Sequence, residues 1–361
     1  MAPYLGSPDE PAINGMKLKL RQIECSGTPY EIGFKHGREA TSQVHGTIAF
    51  YTSMFQTSSK LEWPQVRQIA MDFEPNLRRK WPRYVDEMQG LADGADVELA
   101  DIIACNVRTE IAFGMFSDGC TALSWRTEGA SFLAQNWDWM EAQKANLVVL
   151  TIKQEGKPGI KLVTEAGLIG KIGLNDAGVG VCLNAIRVKG MDATKLPCHL
   201  GLRMVLESRS REEAVRRLEE FGIASSCHML IADAEGGIGL EWSSSDVQKC
   251  EMNGEKQVFH SNHFLLEHPG VGEDTQWIKD SGYRVTRIEE LAKQLKGAPT
   301  KQKLFEIFKD ESNYPGAICR AQKAPSTSAS LFNIIVDLKA IRGDVTLGRP
   351  TEPEDFVQLA F

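Results

Sequence analysis

The run Asp118-Gly119-Cys120-Thr121 places a thiol directly after a glycine. Glycine reaches backbone conformations closed to other residues. A thiol in that place can attack the preceding carbonyl and shift the acyl group from nitrogen to sulfur. Hydrolysis of the resulting ester would leave Cys120 as a new N-terminus. An α-amine titrates near ~7.7–8.0 and a thiol near ~8.5, so the amine can act as base for its own side chain. Read alone, the dipeptide also fits a turn beside a buried cysteine, which is an ordinary core residue.

Two further runs carry polar groups that such a nucleophile needs. Asn136-Trp137-Asp138 ends an apolar stretch that a hairpin would bring back to Cys120. A carboxylate there would hold the α-amine and tune its proton affinity; a strand-end Asx turn is the local alternative. In His260-Ser261-Asn262-His263, the amide of Asn262 can donate to a developing oxyanion. Two histidines three apart raise the question of zinc. Zinc takes three or four ligands, and no Cys/His partner lies at finger spacing, so no metal is expected. The chain has no Gly-x-Ser-x-Gly elbow and no phosphate-binding Gly-x-x-x-x-Gly-Lys-Ser loop. Its glycine pairs near 170–180 are too sparse for a dinucleotide site.

The elements that must position these groups change character at Cys120. Thr28-Pro29-Tyr30-Glu31 reads as a helix start with a capping box. Residues 61–93 and 98–113 carry apolar residues at helical spacing, so the chain is expected to be mostly helical up to about residue 115. After Cys120, short apolar runs at 121–126 and 131–137 flank Thr127-Glu128-Gly129, a hairpin signal. Strands are expected at 147–153, 160–164, 168–174 and 179–184, with a turn at Asp176-Ala177-Gly178. Helices follow at 197–208 and 211–221, strands at 228–233 and 237–242, helices at 282–295 and 301–309. A hairpin of 331–337 and 343–348 closes the chain. Strands and helices come in blocks, which predicts an α+β protein of stacked, largely antiparallel sheets.

Bulk properties bound the partners. The chain has 361 residues, 42% hydrophobic and 25% charged, with a net charge of −7. That composition supports an ordinary core. The negative balance without basic patches argues against nucleic acid, and no run approaches the ~18 apolar residues of a membrane span. The eight cysteines include no C-x-x-C pair and several lie in apolar runs, so they read as buried thiols of a reducing compartment. Residues 1–20 read as a loose extension before a single domain over 21–361. Without a signal peptide the expected location is the cytoplasm.

The ordered motifs resemble a known family. Gly27-Thr28-Pro29-Tyr30-Glu31-Ile32-Gly33, Arg108-Thr109-Glu110, Asp118-Gly119-Cys120-Thr121 and Gln135-Asn136-Trp137-Asp138 are similar to the fungal acyl-coenzyme A:isopenicillin N acyltransferases. So are Thr164-Glu165-Ala166-Gly167, Gly239-Leu240-Glu241-Trp242-Ser243, Asn262-His263, Ile318-Cys319-Arg320 and Leu347-Gly348-Arg349-Pro350-Thr351. The similarity runs from about Cys25 to the C-terminus. These enzymes belong to the wider group of N-terminal-nucleophile hydrolases.

The resemblance implies a four-layer αββα fold and self-cleavage between Gly119 and Cys120 into associated fragments 1–119 and 120–361. By motif position Cys120 is the nucleophile, Asp138 the amine-orienting acid, Asn262 the oxyanion donor and Ser243 a serine of the substrate pocket. The implied reaction passes an acyl group from a coenzyme A thioester or an amide to an amine, with acyl-coenzyme A as co-substrate and no bound cofactor. An amidohydrolase using the same cysteine, or a self-processing binding protein, are the alternatives. Two departures stand out. The family's Lys-Ser-Arg loop is replaced by the shorter Pro325-Ser326-Thr327-Ser328-Ala329-Ser330, with the arginine position falling on or next to Thr327. Arg320 is the nearby cation, so Thr327 and Arg320 are the residues expected to bear on substrate charge. The C-terminal Leu359-Ala360-Phe361 is not the family's peroxisomal tripeptide.

Overall fold

A computed structural model describes residues 18–112, 119–271 and 278–361. The sequence expectations for residues 1–17, for 113–118 with Asp118, and for 272–277 lie outside them.

The first part of the chain is helical after one strand, β1 (Arg21–Ser26). It continues through α1 (Pro29–Glu39), α2 (Thr41–Ser58), α3 (Trp63–Met71), α4 (Glu74–Lys80), α5 (Pro82–Ala95), α6 (Leu99–Asn106) and α7 (Arg108–Ile111). The capping box of α1 is present: Glu31 N donates to Thr28 Oγ1 at 3.3 Å and Thr28 N donates to Glu31 Oε2 at 2.8 Å. Helices α1 and α5 touch backbone to backbone through glycines. A Cβ on Gly33 would stand 1.8 Å from Glu87 O, and one on Gly90 2.0 Å from Tyr30 O.

The rest is strand-rich. It comprises β2 (Gly119–Arg126), β3 (Ser131–Trp139), β4 (Leu147–Lys153), β5 (Ile160–Glu165), β6 (Ile172–Asn175) and β7 (Gly180–Ala185). Next come α8 (Cys198–Leu206), α9 (Arg211–Phe221), β8 (Cys227–Asp233), β9 (Gly236–Trp242), β10 (Val247–Cys250) and β11 (Gln257–His260). The chain closes with α10 (Ser281–Gln294), α11 (Lys301–Phe308), β12 (Ala329–Asp337), β13 (Arg342–Leu347) and β14 (Asp355–Ala360).

Two sheets form. One runs β1-β4-β5-β6-β7-β8-β9-β10, the other β11-β2-β3-β12-β13-β14. The pairings between these strands are antiparallel except β1 with β4. The period-two alternation of a strand sends neighbours to opposite faces. On the second sheet Ala122, Leu133, Trp137, Phe332 and Ile334 join the core shared with the first sheet. Leu123, Phe132, Ala134 and Ile335 turn the other way, onto Ile288, Leu304, Ile307 and Phe308 of α10 and α11. Helices α1, α8 and α9 pack on the first sheet. The architecture is therefore α+β in four layers, αββα, as expected. All eight cysteines lie in described residues and none is in a disulfide. No helix among the described residues is long and apolar enough to cross a membrane.

Three expectations need correction. Residues 61–93 are three helices, because Pro75 and Pro82 sit in the first turns of α4 and α5, where a missing N–H starts a helix rather than continuing one. The 98–113 run is likewise split into α6 and α7 at Val107. The run 168–174 is strand only from Ile172. Asn106 captures Gly167 O and Ile169 N with its amide at 2.8 and 3.0 Å, and so holds that stretch as a loop.

Candidate active site

The hairpin predicted around Thr127-Glu128-Gly129 sets the geometry. In the β2–β3 register Gly119 faces Asp138 and Cys120 faces Trp137. On the other side of β2, His260 pairs with Ala122. Continuing that antiparallel register by two residues carries Asn262 opposite Cys120. The two short-range patterns thus converge on one point, although Asn262 lies 142 residues further along the chain.

Cys120 is buried at this point. Its backbone N–H donates to Asn262 Oδ1 at 2.8 Å. Its carbonyl accepts from Ser261 Oγ at 3.1 Å and from Arg284 Nη1 at 2.6 Å. Arg284 Nη2 also donates to Asn262 Oδ1 at 2.9 Å, which fixes which end of the amide faces Cys120. Asn262 Nδ2 donates to Ala185 O at 3.0 Å. An amide nitrogen carries two hydrogens, so a second donor direction remains.

Asp138 is buried at the end of β3. Oδ1 accepts from Ser330 Oγ at 2.6 Å, across the β3–β12 ladder. Oδ2 forms an ion pair with Arg320 Nε at 3.3 Å. The alignment is poor, and neither atom makes a proper hydrogen bond. Both face Gly119, where an added Cβ would stand 2.8 Å from each. Burial pushes the Asp138 carboxyl up to about 6, against the pull of Arg320 and Arg284. Arg320 continues to Asp280 and, at 3.0 Å, to Ser326 Oγ. Arg284 Nε reaches the same Asp280 oxygen at 2.8 Å. Two arginines and two aspartates therefore form one chain around the Gly119–Cys120 junction, buried except at Asp280.

Arg284 was not visible as a site residue in the sequence. The only local signal is Asp280, one helical turn earlier. Thr327 lies on the wall between two clefts. One, of about 680 Å³, includes Asp280, Arg320, Tyr283 and Lys279. The other, of about 640 Å³, is lined by Phe50, Met54, Trp139 and Met140 among others. Ser243 lines neither of these clefts. Its hydroxyl closes a turn after β9, accepting from Ser245 N and Asp246 N at 3.1 and 2.9 Å and donating to the Asp246 carboxylate.

Among the described residues, Glu241, Cys250 and His260 have potential metal-ligand atoms within 4.8 Å of one another. The spacing along the chain gave no hint of this group. Both Glu241 oxygens already accept N–H donors, so the carboxylate serves as a hydrogen-bond acceptor here.

Comparison with known proteins adds to this geometry. A family model described as acyl-coenzyme A:6-aminopenicillanic acid acyl-transferase matches residues 125–352. The chain is 38% identical over 346 residues to the acyl-coenzyme A:6-aminopenicillanic-acid-acyltransferase 40 kDa form of Emericella nidulans, covering 95% of this chain and 96% of that protein. The chain belongs to this acyltransferase family. Family membership makes it an acyltransferase by descent and agrees with the resemblance carried by the motifs. A more distant relative is the beta-alanyl-dopamine/carcinine hydrolase of Drosophila melanogaster, 24% identical over 59% of this chain and 62% of that one. The solved structure of penicillin V acylase from Agrobacterium tumefaciens aligns with 67% of this chain and 86% of that chain, at 14% identity and a TM-score of 0.43.

Proposed function

We propose that this protein is a self-processing cysteine N-acyltransferase that moves an acyl group from a coenzyme A thioester to an amine. The observation that carries this reading is the Cys120 backbone, held between Asn262 and Arg284 with Asp138 facing the preceding glycine.

In the first reaction the Cys120 thiol attacks the Gly119 carbonyl. The peptide C–N bond breaks, the nitrogen takes the thiol proton, and an ester to sulfur forms. Water hydrolyses that ester, leaving a carboxyl on Gly119 and an α-amine and thiol on Cys120. The products are the fragments 1–119 and 120–361. In the second reaction the α-amine takes the thiol proton and the thiolate attacks the thioester carbonyl. Coenzyme A leaves as its thiol with that proton. An amine then attacks the acyl-S-enzyme, the C–S bond breaks, a proton from the amine passes to the Cys120 sulfur, and an amide is released.

Asn262 has two tasks in this scheme. Oδ1 holds the Cys120 nitrogen, and the remaining Nδ2–H stabilises the oxyanion. Asp138 orients the α-amine with its open Oδ2. The acceptor is an amine; with Thr327 in place of the family's loop arginine and Arg320 matched by Asp138 and Asp280, one without a carboxylate is favoured over the 6-aminopenicillanic acid of the Emericella nidulans enzyme's name.

The test is incubation of the purified chain with hexanoyl-coenzyme A and 6-aminopenicillanic acid or uncharged amines, following thiol release and amide formation. Cys120→Ala should stay a single chain and lose turnover. Asn262→Ala should lower kcat by ~100-fold or more. Thiol release without amide would indicate a hydrolase. An intact wild-type chain with full transfer activity would remove self-processing from the scheme.

A further inference from the structure

Asn262 lies in a segment with little core packing of its own. Leu265 and Leu266, three and four residues on, are 41% and 38% exposed. A backbone there must be fixed by polar ties if its side chains are to hold a reactive geometry.

Ser281 supplies one anchor, its Oγ accepting from Asn262 N at 2.7 Å and lying 2.7 Å from His263 Nδ1; four more ties converge on one residue. Glu241, buried near the end of β9, takes up donors from both sides of Asn262. Before it, His260 Nε2 lies 2.7 Å from Glu241 Oε1. After it, Leu265 N donates to Oε1 at 2.6 Å and Leu266 N to Oε2 at 3.1 Å. His268 Nε2 lies 3.2 Å from Oε2. Each ring also meets an acceptor at its other nitrogen: Ser261 O at 2.8 Å from His260 Nδ1, and Asp246 Oδ1 at 2.9 Å from His268 Nδ1. Burial pulls the Glu241 carboxyl up, but His260 and the two backbone amides outweigh it and hold Glu241 below its ordinary value. Hydrogen bonds to an ionised acceptor are the strong kind.

We propose that Glu241 is a positioning residue for acyl transfer, anchoring the 260–268 segment on both sides of Asn262 and so holding that amide against the Cys120 backbone. The inference rests on the reading of Asn262 as part of the acyl-transfer site. Glu241 touches neither Cys120 nor the clefts at Thr327; it acts through the segment it ties down. Displacing a reacting group by about 1 Å costs on the order of 100-fold in rate, so a loosened anchor has a large lever.

The experiment is a double-mutant cycle on the full chain with Glu241→Gln, Asn262→Ala and the pair. Glu241→Gln keeps the size and one acceptor oxygen but turns an –NH2 towards donors. Thiol release from hexanoyl-coenzyme A is measured with the best acceptor amine, and kcat is expressed per processed chain. Glu241→Gln should lower kcat by about ten-fold or more, with KM for the thioester changed less than about three-fold. In the Asn262→Ala background the same substitution should cost less than about two-fold, because the residues act as a unit. Equal losses in both backgrounds, or an unchanged kcat, would overturn the anchor. If Glu241→Gln does not fold, His268→Ala replaces it in the same cycle. It cuts one tie at the edge of the segment, and a kcat loss that vanishes without Asn262 supports the proposal while an unchanged kcat overturns it. An Asn262→Ala enzyme that turns over normally would sink the reading of the site itself, and the anchor with it.

Discussion

Glu165 and Asp138 are both fully buried carboxylates beside two cations, yet their proton affinities are shifted in opposite directions. Glu165, at the end of β5, accepts from Arg108 Nη2 at 2.7 Å, Lys171 Nζ at 2.9 Å, Gln143 Nε2 at 3.1 Å and the Tyr51 hydroxyl. Burial pushes it up, but Arg108 and Lys171 outweigh burial and bring it down to about 2. Asp138 has one aligned donor, Ser330, and an arginine at 3.3 Å, and it rises to about 6. The two groups lie in adjoining layers: Lys171 also sits 4.2 Å from the ring centroid of Trp137, the residue facing Cys120. Two nearby cations are therefore not enough to lower a buried acid; around Glu165 they stand at hydrogen-bond distance and outweigh burial, around Asp138 they do not. The scaffold carboxylate has no oxygen left to offer, whereas Asp138 keeps one turned towards the Gly119–Cys120 junction.

The sharpest way to break this contrast is Glu165→Gln. It leaves Arg108 and Lys171 without their shared carboxylate, and the loss of one partner from a buried pair costs about 3–5 kcal/mol. Denaturant unfolding at neutral pH should show that loss. A change below ~1 kcal/mol would mean that the network does not carry stability.

Asp138→Asn should behave in the opposite way. Its amide removes a buried charge without the desolvation cost, so Tm at pH 7 should hold or rise while turnover falls by about 100-fold. A large drop in Tm would make Asp138 a scaffold residue like Glu165.

The pH dependence of stability sharpens the comparison further. Glu165 is depressed from 4.5 to about 2, so its contribution is present above its unfolded value and is lost as pH falls towards 2. Asp138 is raised from 3.8 to about 6, so its contribution is present at low pH and is lost as pH rises through 6. Unfolding curves of Glu165→Gln should lose the acid-side slope, and those of Asp138→Asn the slope between about 4 and 6. In the pH–rate profile, wild type should lose activity below about 6 as Asp138 takes up a proton, and that limb should be absent from the residual activity of Asp138→Asn.

The smallest expected effect concerns substrate charge. Arg320 is matched by Asp138 and Asp280, which leaves it little attraction for a substrate carboxylate. Thr327 offers neutral hydrogen bonds of ~0.5–1.5 kcal/mol, against ~1.5–3 for a bond to a charged group. Thr327→Arg should therefore raise kcat/KM for 6-aminopenicillanic acid by about ten-fold relative to an uncharged amine. If Arg320→Ala alone abolishes the use of carboxylate-bearing amines and Thr327→Arg changes nothing, the charge is read at Arg320.

Local patterns carried some of this arrangement and not the rest. The hairpin of β2 and β3 was legible because alternation and a turn triplet coincide, and with it came the meeting of Asp138 and Gly119. The capping box of α1 was legible for the same reason, that partners three residues apart meet locally. The short strands β1 and β14 were not, since their exposed alternate residues resemble loop in composition, and β10 and β11, at four residues each, are too short for a period to show. Glu241 stood out only as part of a family motif, because the four donors it gathers are 19 to 27 residues away. Arg284, 164 residues from Cys120, had no signal that distinguishes it from a surface arginine on a helix.

The parallel pairing of β1 with β4 has a consequence for how the protein would respond to unfolding. Six residues of the N-terminal part form an edge of the larger sheet, from Arg21 against Val148 to Ser26 against Lys153. Helices α1 and α5 lock behind them. A cut before Cys120 would leave that ladder in place, so the native particle would hold together while its connectivity was lost. Before the cut, recovery from denaturation is a first-order event within one chain. Afterwards it would be a second-order encounter of two chains, with a midpoint that depends on protein concentration.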